Sequence, residues 1–180
     1  GMEIVNKYLI PSLDIVGKRY ESGEIFLPQL LQSAETVKKS FEVIKESIIS
    51  TKGKKLSKGK IVLATVRGDI HDIGKNIVKI LLENYGFEVI DLGKDVHEDD
   101  VVNAVKSGNI KLVGLSALMT TTVRSMEETI KALRENNLDC IVMVGGAVLN
   151  EEYAAMIGAD YYAKDATQSV KIARELFQCE

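Results

Sequence analysis

From Lys60 to the C-terminus, short β-favouring runs alternate with stretches of helical character, and no other feature narrows the fold as far. The runs are 60–66 (KIVLATV), 87–92 (FEVIDL), 111–116 (KLVGLS), 140–144 (CIVMV) and 160–163 (DYYA). The central runs are apolar at consecutive positions, as in strands covered on both faces of a parallel sheet. Five βα units joined by right-handed crossovers predict an α/β domain, a doubly wound five-stranded parallel sheet of flavodoxin-like or Rossmann-like type. Ligands of such sheets sit beyond the carboxyl ends of the strands, so the loops after the first, third and fourth runs are where chemistry is expected.

The first fifty residues follow a different period. Val5, Leu9, Leu13, Val16 and Tyr20, then Leu27, Leu30, Leu31, Ala34, Val37, Phe41, Ile44 and Ile48, recur at helical spacing and predict two amphipathic helices. Glu21, Ser22 and Gly23 make the turn between them. Pro28 suits the start of the second helix, and Pro11 should kink the first or delay its start. Two helices alone bury too little to be stable, so their apolar stripe must pack on something else. Residues 50–60 (STKGKKLSKGK) are polar, carry no apolar period and read as an exposed connector. The expected layout is a helical cap at 1–50, a linker at 51–59 and the α/β domain at 60–180.

Charge and composition exclude several classes. A formal net charge of -3 and a pI near 5.6 give no basic field for a phosphate backbone, and Lys52, Lys54, Lys55, Lys58 and Lys60 are diluted by glycine and serine. Nucleic acid is not an expected partner. No apolar stretch is long enough to span a bilayer and no signal-peptide layout opens the chain, so a cytoplasmic protein with no membrane partner is expected. Cys140 and Cys179 match neither a metal-ligand spacing nor a disulfide framework and are expected to be bystanders. Gly1 before Met2 has the look of a residue left by tag cleavage, with the natural chain beginning at Met2 or extending upstream.

The loop after the first run reads Arg67-Gly68-Asp69-Ile70-His71-Asp72-Ile73-Gly74-Lys75-Asn76. Flavin and nucleotide folds place glycines and hydroxyls at this turn so that bare amides meet an anion, whereas Asp69 and Asp72 would repel one. A phospho-acceptor receiver would end its third strand in aspartate, but here Leu115-Ser116-Ala117-Leu118 is followed by Met119, Thr120, Thr121 and Thr122. What remains is a histidine with a carboxylate two residues away, a pairing that fixes the imidazole tautomer and raises its basicity as a metal ligand. One histidine cannot build a zinc site. A lone protein ligand makes sense for a metal already held by a macrocycle, a corrin or a haem.

Asp69-x-His71-x-x-Gly74, Ser116-x-Leu118 and Gly145-Gly146 together resemble the D-x-H-x-x-G, S-x-L and G-G signature of cobalamin-binding domains. Upstream, GKRYESGEIFLPQLLQSAETVK resembles the helical cap that precedes this domain in cobalamin-dependent methionine synthase and in the corrinoid proteins of methylotrophic and acetogenic methyltransferases, so nearly the whole chain is covered. ATVRGDIHDIGKNIV and GLSALMTTT are most similar to methionine synthase. The family's cap is a four-helix bundle, and this chain carries the equivalent of its second half.

The resemblance implies residue roles. His71 becomes the lower ligand of the cobalt of cobalamin, displacing the cofactor's dimethylbenzimidazole, whose nucleotide tail enters a slot between the sheet and its helices. Asp69 accepts the other imidazole N–H and Thr122 extends the relay; the Asp69–His71 pair can take up a proton when cobalt is reduced and the histidine leaves. The first loop contributes Gly68, Ile70, Asp72, Ile73 and Gly74 to cofactor binding. Ser116, Leu118 and Thr120 line the tail slot, Gly145 and Gly146 let backbone approach the tail, and Ala166 faces its nucleotide. Tyr20 and Leu27 cover the reactive methyl face. His97, in the acidic stretch Glu98-Asp99-Asp100 before a helix, is read as a helix-terminal residue with no role.

The activity implied is that of a methyl carrier, expected to belong to methionine synthase, passing methyl from methyltetrahydrofolate to homocysteine. The alternatives are a free-standing corrinoid protein, a cobalamin sensor or storage module, or the small subunit of a mutase. The partners expected are methyl-donor and methyl-acceptor methyltransferase domains or subunits and a reductive activation protein. Nothing resembles a folate barrel or a thiol-activating zinc site, so the chain is expected to bind cofactor without turning over substrate alone.

Overall fold

The computed structural model describes residues 4–49 and 57–178. Ser50, residues 51–56 of the expected linker, and Cys179 lie outside the described residues, as do the side chains of Val5, Leu13, Ala34, Phe41, Ile44 and Ile48. Val5–Leu9 form a π-helical turn that runs into α1 (Ile10–Glu21). Pro11 stands in the first turn of α1, where a missing amide costs no hydrogen bond, so its effect is on where the α-helix begins. Gly23 takes φ 78° in the turn. In α2 (Leu27–Ile49) Pro28 is the second residue, and Gln29 Oε1 accepts the Phe26 N–H at 2.7 Å to close the helix entrance.

The remaining elements are β1 (Lys60–Thr65), α3 (Ile73–Asn84), β2 (Glu88–Asp91), α4 (Glu98–Gly108), β3 (Leu112–Ser116), α5 (Val123–Glu135), β4 (Ile141–Gly145), α6 (Glu151–Met156), β5 (Tyr161–Tyr162) and α7 (Ala166–Leu176). Every strand falls within one residue of its expected bounds. All pairings are parallel and the order is β2-β1-β3-β4-β5, the flavodoxin-like arrangement. β1 therefore has neighbours on both sides, and the order reverses between β1 and β3, where the His71 loop leaves the sheet.

Both faces of the sheet are covered, which is why the strands are apolar throughout. Val62, Ala64, Val113, Val142 and Val144 pack with Val101, Val105, Met126, Ile130 and Leu133 of α4 and α5. The alternate residues Ile61, Leu63, Leu112 and Met143 pack with Leu81 and Leu82 of α3 and Val170, Ile172 and Ala173 of α7. Leu30 and Val37 of α2 join that second core, so the cap helices bury their stripe against α3. Cys140 is buried, which pushes its thiol pKa up. Among the described residues no helix is long and apolar enough to cross a membrane.

Candidate cofactor site

Asp69 is the hub of the first loop. The chain turns after β1 with the Asp69 N–H donating to Val66 O at 3.0 Å, and Gly68 takes φ 82° to make the turn. The Gly68 N–H donates to Asp95 Oδ1 at 2.7 Å, and the Asp95 N–H returns to Asp69 O at 3.0 Å, tying the loop to the one after β2. The Asp69 side chain is 0% exposed. Its Oδ1 accepts the His71 backbone N–H at 3.0 Å and stands 2.9 Å from His71 Nδ1. Its Oδ2 accepts the Leu118 and Met119 N–H groups at 2.7 and 3.2 Å. The Thr122 hydroxyl lies 2.8 Å from both Asp69 Oδ2 and Met119 O and can donate to either.

Burial alone would push the Asp69 pKa up. The His71 and Leu118 amides, the His71 ring and the Thr122 hydroxyl outweigh it and hold the carboxyl well below the usual range. An ionised carboxylate only accepts, so the proton of a neutral His71 ring sits on Nδ1 and Nε2 keeps its lone pair. Nε2 has no hydrogen-bond partner among the described residues, and the His71 side chain is 46% exposed. Ile70 and Ile73 flank it at 60% and 77% exposed, large apolar side chains that a flat apolar ligand would cover. Among the described residues no three His, Cys, Asp or Glu side chains converge on a metal position, so His71 is suited to a metal whose other positions are already filled.

Below the loop a cavity of about 330 Å³ runs between the sheet and helices α3 and α7. Ser116, Gly145, Gly146, Ala166 and Gly74 line it, as expected for a slot. Gly146 takes φ 141° and a Cβ there would stand 1.8 Å from Ala117 O, so a side chain is excluded where the chain crosses the mouth. Asp72 precedes α3 without a side-chain capping bond. Leu118 and Thr120 do not line the cavity; their side chains are exposed, and Leu118 acts instead through its backbone amide on Asp69. Past Ser116 the chain leaves β3 and tightens into a 3-10 turn at Thr120–Thr122.

A second cavity, about 1000 Å³, opens between the cap and the α/β domain. Tyr20 lines it as expected, but Leu27 does not: it packs into the core shared with α3, and the neighbouring Phe26, 69% exposed, lines the cavity. Gly74 and Ala166 border both cavities, so the two communicate beside the His71 loop.

Lys75 was not singled out either. It is buried, its Nζ pairs with Asp91 and lies 3.0 Å from Asn76 Oδ1, while Lys79 reaches Asp91 at 3.1 Å. The Lys75 and Gly93 hydrogen bonds, with Lys79, offset the burial of Asp91 and hold its carboxyl below its ordinary range. The pair pins the start of α3 to the end of β2. A lysine beside a loop rich in aspartate was the available signal. His97 caps α4, its Nδ1 accepting the Asp99 N–H at 3.5 Å, the helix-terminal place read from the sequence.

Comparison with known proteins agrees with the geometry. The B12 binding domain family matches residues 59–171, and a second B12 binding domain pattern matches residues 2–45. The dimethylamine corrinoid protein of Methanosarcina barkeri is 42% identical over 177 residues, covering 97% of this chain and 82% of that protein. A cobalamin-binding protein from Desulfitobacterium hafniense DCB-2 superposes with a TM-score of 0.81 at 38% identity, over 97% of this chain and 82% of the other. The methanol:cobalamin methyltransferase complex of Methanosarcina barkeri contains a chain that superposes with a TM-score of 0.87 at 31% identity, over 99% of this chain and 68% of that one. These relatives favour the free-standing corrinoid protein over methionine synthase, and they give no support to a role in methionine biosynthesis.

Proposed function

The chain belongs to the B12 binding domain family and is a cobalamin-binding corrinoid protein of methyltransferase systems, and on that premise we propose that it is a free-standing methyl carrier serving separate donor and acceptor methyltransferases. The observation that carries this reading is the carboxylate–imidazole pair: Asp69 fixes Nδ1 at 2.9 Å and leaves Nε2 facing outward between Ile70 and Ile73. When bound, the corrinoid supplies a cobalt centre that accepts a methyl group and gives it up again. His71 Nε2 would be the protein's ligand to that cobalt. Asp69 keeps the Nδ1 proton in place and stabilises added charge on the ring, and Leu118, Met119 and Thr122 keep Asp69 from moving. The cavity bounded by Ser116, Gly145 and Ala166 takes the nucleotide tail, and Tyr20 and Phe26 exclude water above.

The residues present fit that group. The slot has the size expected of a ligand cavity. Beside it Thr65 carries a fully buried hydroxyl with no hydrogen-bond partner among the described residues. Methylated amines are the donor class to test first, since the relative 42% identical is a dimethylamine corrinoid protein. The partners on this reading are a donor-specific methyltransferase, an acceptor methyltransferase and a reductive activation protein. The helices before residue 50 form the cap and the sheet from Lys60 onward the cofactor-binding domain.

The test is retention of hydroxocobalamin through desalting, read by visible absorption. Wild type should retain it with the spectrum of histidine-ligated, base-off cobalamin. His71→Ala should lose that spectrum. Folded wild type that retains nothing in excess cofactor would remove the carrier reading.

A further inference from the structure

The tail cavity is graded from mouth to floor. The parallel register sets Thr65, Ser116 and Gly145 side by side across β1, β3 and β4, and Leu63, Gly114 and Met143 side by side on the same face. The second row is two residues deeper, about 7 Å. The upper row carries the hydroxyls of Ser116 and Thr65. The lower row carries no polar side chain. Leu63 and Met143 close over Gly114 so tightly that a Cβ there would stand 2.5 Å from Leu63 Cδ2 and 3.4 Å from Met143 Cε. Val78 of α3 completes the floor. Several polar side chains bordering the cavity are committed elsewhere: Lys75 Nζ is turned to Asp91 and Asn76, the Ser169 hydroxyl donates to Asp165 O at 3.1 Å, and the Tyr162 hydroxyl donates to Leu149 O at 3.0 Å.

Resting on the carrier reading above, we infer that this floor selects the lower base of the corrinoid, accepting a ring whose distal edge is apolar and rejecting one whose distal edge carries nitrogen donors and acceptors. Dimethylbenzimidazole and phenolic bases present C–H and methyl groups to Leu63, Gly114 and Met143. Adenine presents ring nitrogens and an amino group at the same depth, where no partner waits, and each group stripped of water without a replacement weakens binding. Polar atoms near the glycosidic bond are not discriminated, because the Ser116 hydroxyl above can pair them.

The experiment titrates the purified protein with cobalamin, a phenolyl cobamide, adeninyl cobamide and tail-free cobinamide, following visible absorption and retention on desalting. The phenolyl cobamide should bind within a few-fold of cobalamin, and adeninyl cobamide about tenfold or more weaker, the cost of one unpaired buried polar group. Detachment of the base from cobalt pulls the other way, since adenine holds cobalt less tightly than dimethylbenzimidazole does. Equal or tighter binding of adeninyl cobamide therefore overturns the inference. Cobinamide binding as tightly as cobalamin overturns it too, by showing the cavity plays no part in tail binding, while the carrier reading stands. Folded protein that does not retain cobalamin removes both. Met143→Gln, similar in size and unbranched, puts an amide on the floor; it should narrow the adenine penalty several-fold, and an unchanged ratio in the folded variant counts against selection by the floor.

Discussion

The loop at Asp69 and the turn at Tyr20–Leu27 face the same cavity system, yet they are built on different principles. In the loop, one buried carboxylate gathers three backbone amides, an imidazole and a hydroxyl from two strand ends. Hydrogen bonds are directional, so each partner has one workable position and the loop is over-determined. In the turn, Tyr20 and Phe26 bound the cavity through exposed rings, and their placement follows from which face α2 buries. A motif names the first kind of site residue by residue; in the second kind the adjacent Phe26 and Leu27 part, one lining the cavity and the other packing into the core.

The sharpest way to break the comparison is to remove the hub. Asp69→Ala leaves three backbone amides short of an acceptor, and should cost about 3–5 kcal/mol in chemical denaturation along with cofactor retention. Asp69→Asn tests charge separately. The folded carboxyl titrates below its unfolded value of about 3.9, so its contribution is present above that value and is lost as pH falls toward the folded pKa. Denaturation midpoints measured from pH 7 down to pH 3 should fall more steeply in wild type than in Asp69→Asn. Parallel curves would mean that the ionised carboxylate does not stabilise the loop.

The next effect belongs to the slot mouth. Gly146→Ala must relieve a 1.8 Å approach to Ala117 O from a backbone at φ 141°, at about 2–4 kcal/mol. A loss under 1 kcal/mol by denaturant titration would show that the crossing is more pliant than its geometry. The smallest effect should come from the cap, where two adjacent residues part company. Leu27→Ala should destabilise the fold by about 1–2 kcal/mol, as a partly buried contact does. Phe26→Ala should leave stability within about 0.5 kcal/mol while speeding the escape of bound cofactor, measured by displacement kinetics. The reverse pattern would return the shielding role to Leu27.

Much of this protein was legible in its residues. The five strands were found within one residue of their bounds, because a sheet covered on both faces writes an unbroken apolar run into each strand. Asp69, His71, Gly74, Ser116, Gly145 and Gly146 were named through motifs and Thr122 through the resemblance; the structure joins Asp69, His71 and Thr122 by hydrogen bonds and sets Gly74, Ser116, Gly145 and Gly146 along the cavity. Leu118, named through the resemblance, stands outside the cavity lining, and the contact it makes is its amide to Asp69, which leaves no mark on residue identity. Thr120, named the same way, stands in the 3-10 turn beyond β3. Lys75 and Asp91 lie 16 positions apart in the chain, and nothing local pairs a lysine in one helix with an aspartate at the end of the next strand.

The sequence by itself determined the α/β class, the position of the first loop at a switch point and the pairing of His71 with Asp69, since these depend on local period and on neighbours two residues apart. Only the tertiary structure decided which groups hold the other carboxylate oxygen, which cap ring meets the cavity, and that the slot runs from the hydroxyl of Ser116 to an apolar floor at Leu63, Gly114 and Met143. The reason is range: a period is carried by one strand, whereas a row across the sheet exists only once the register of three strands is set.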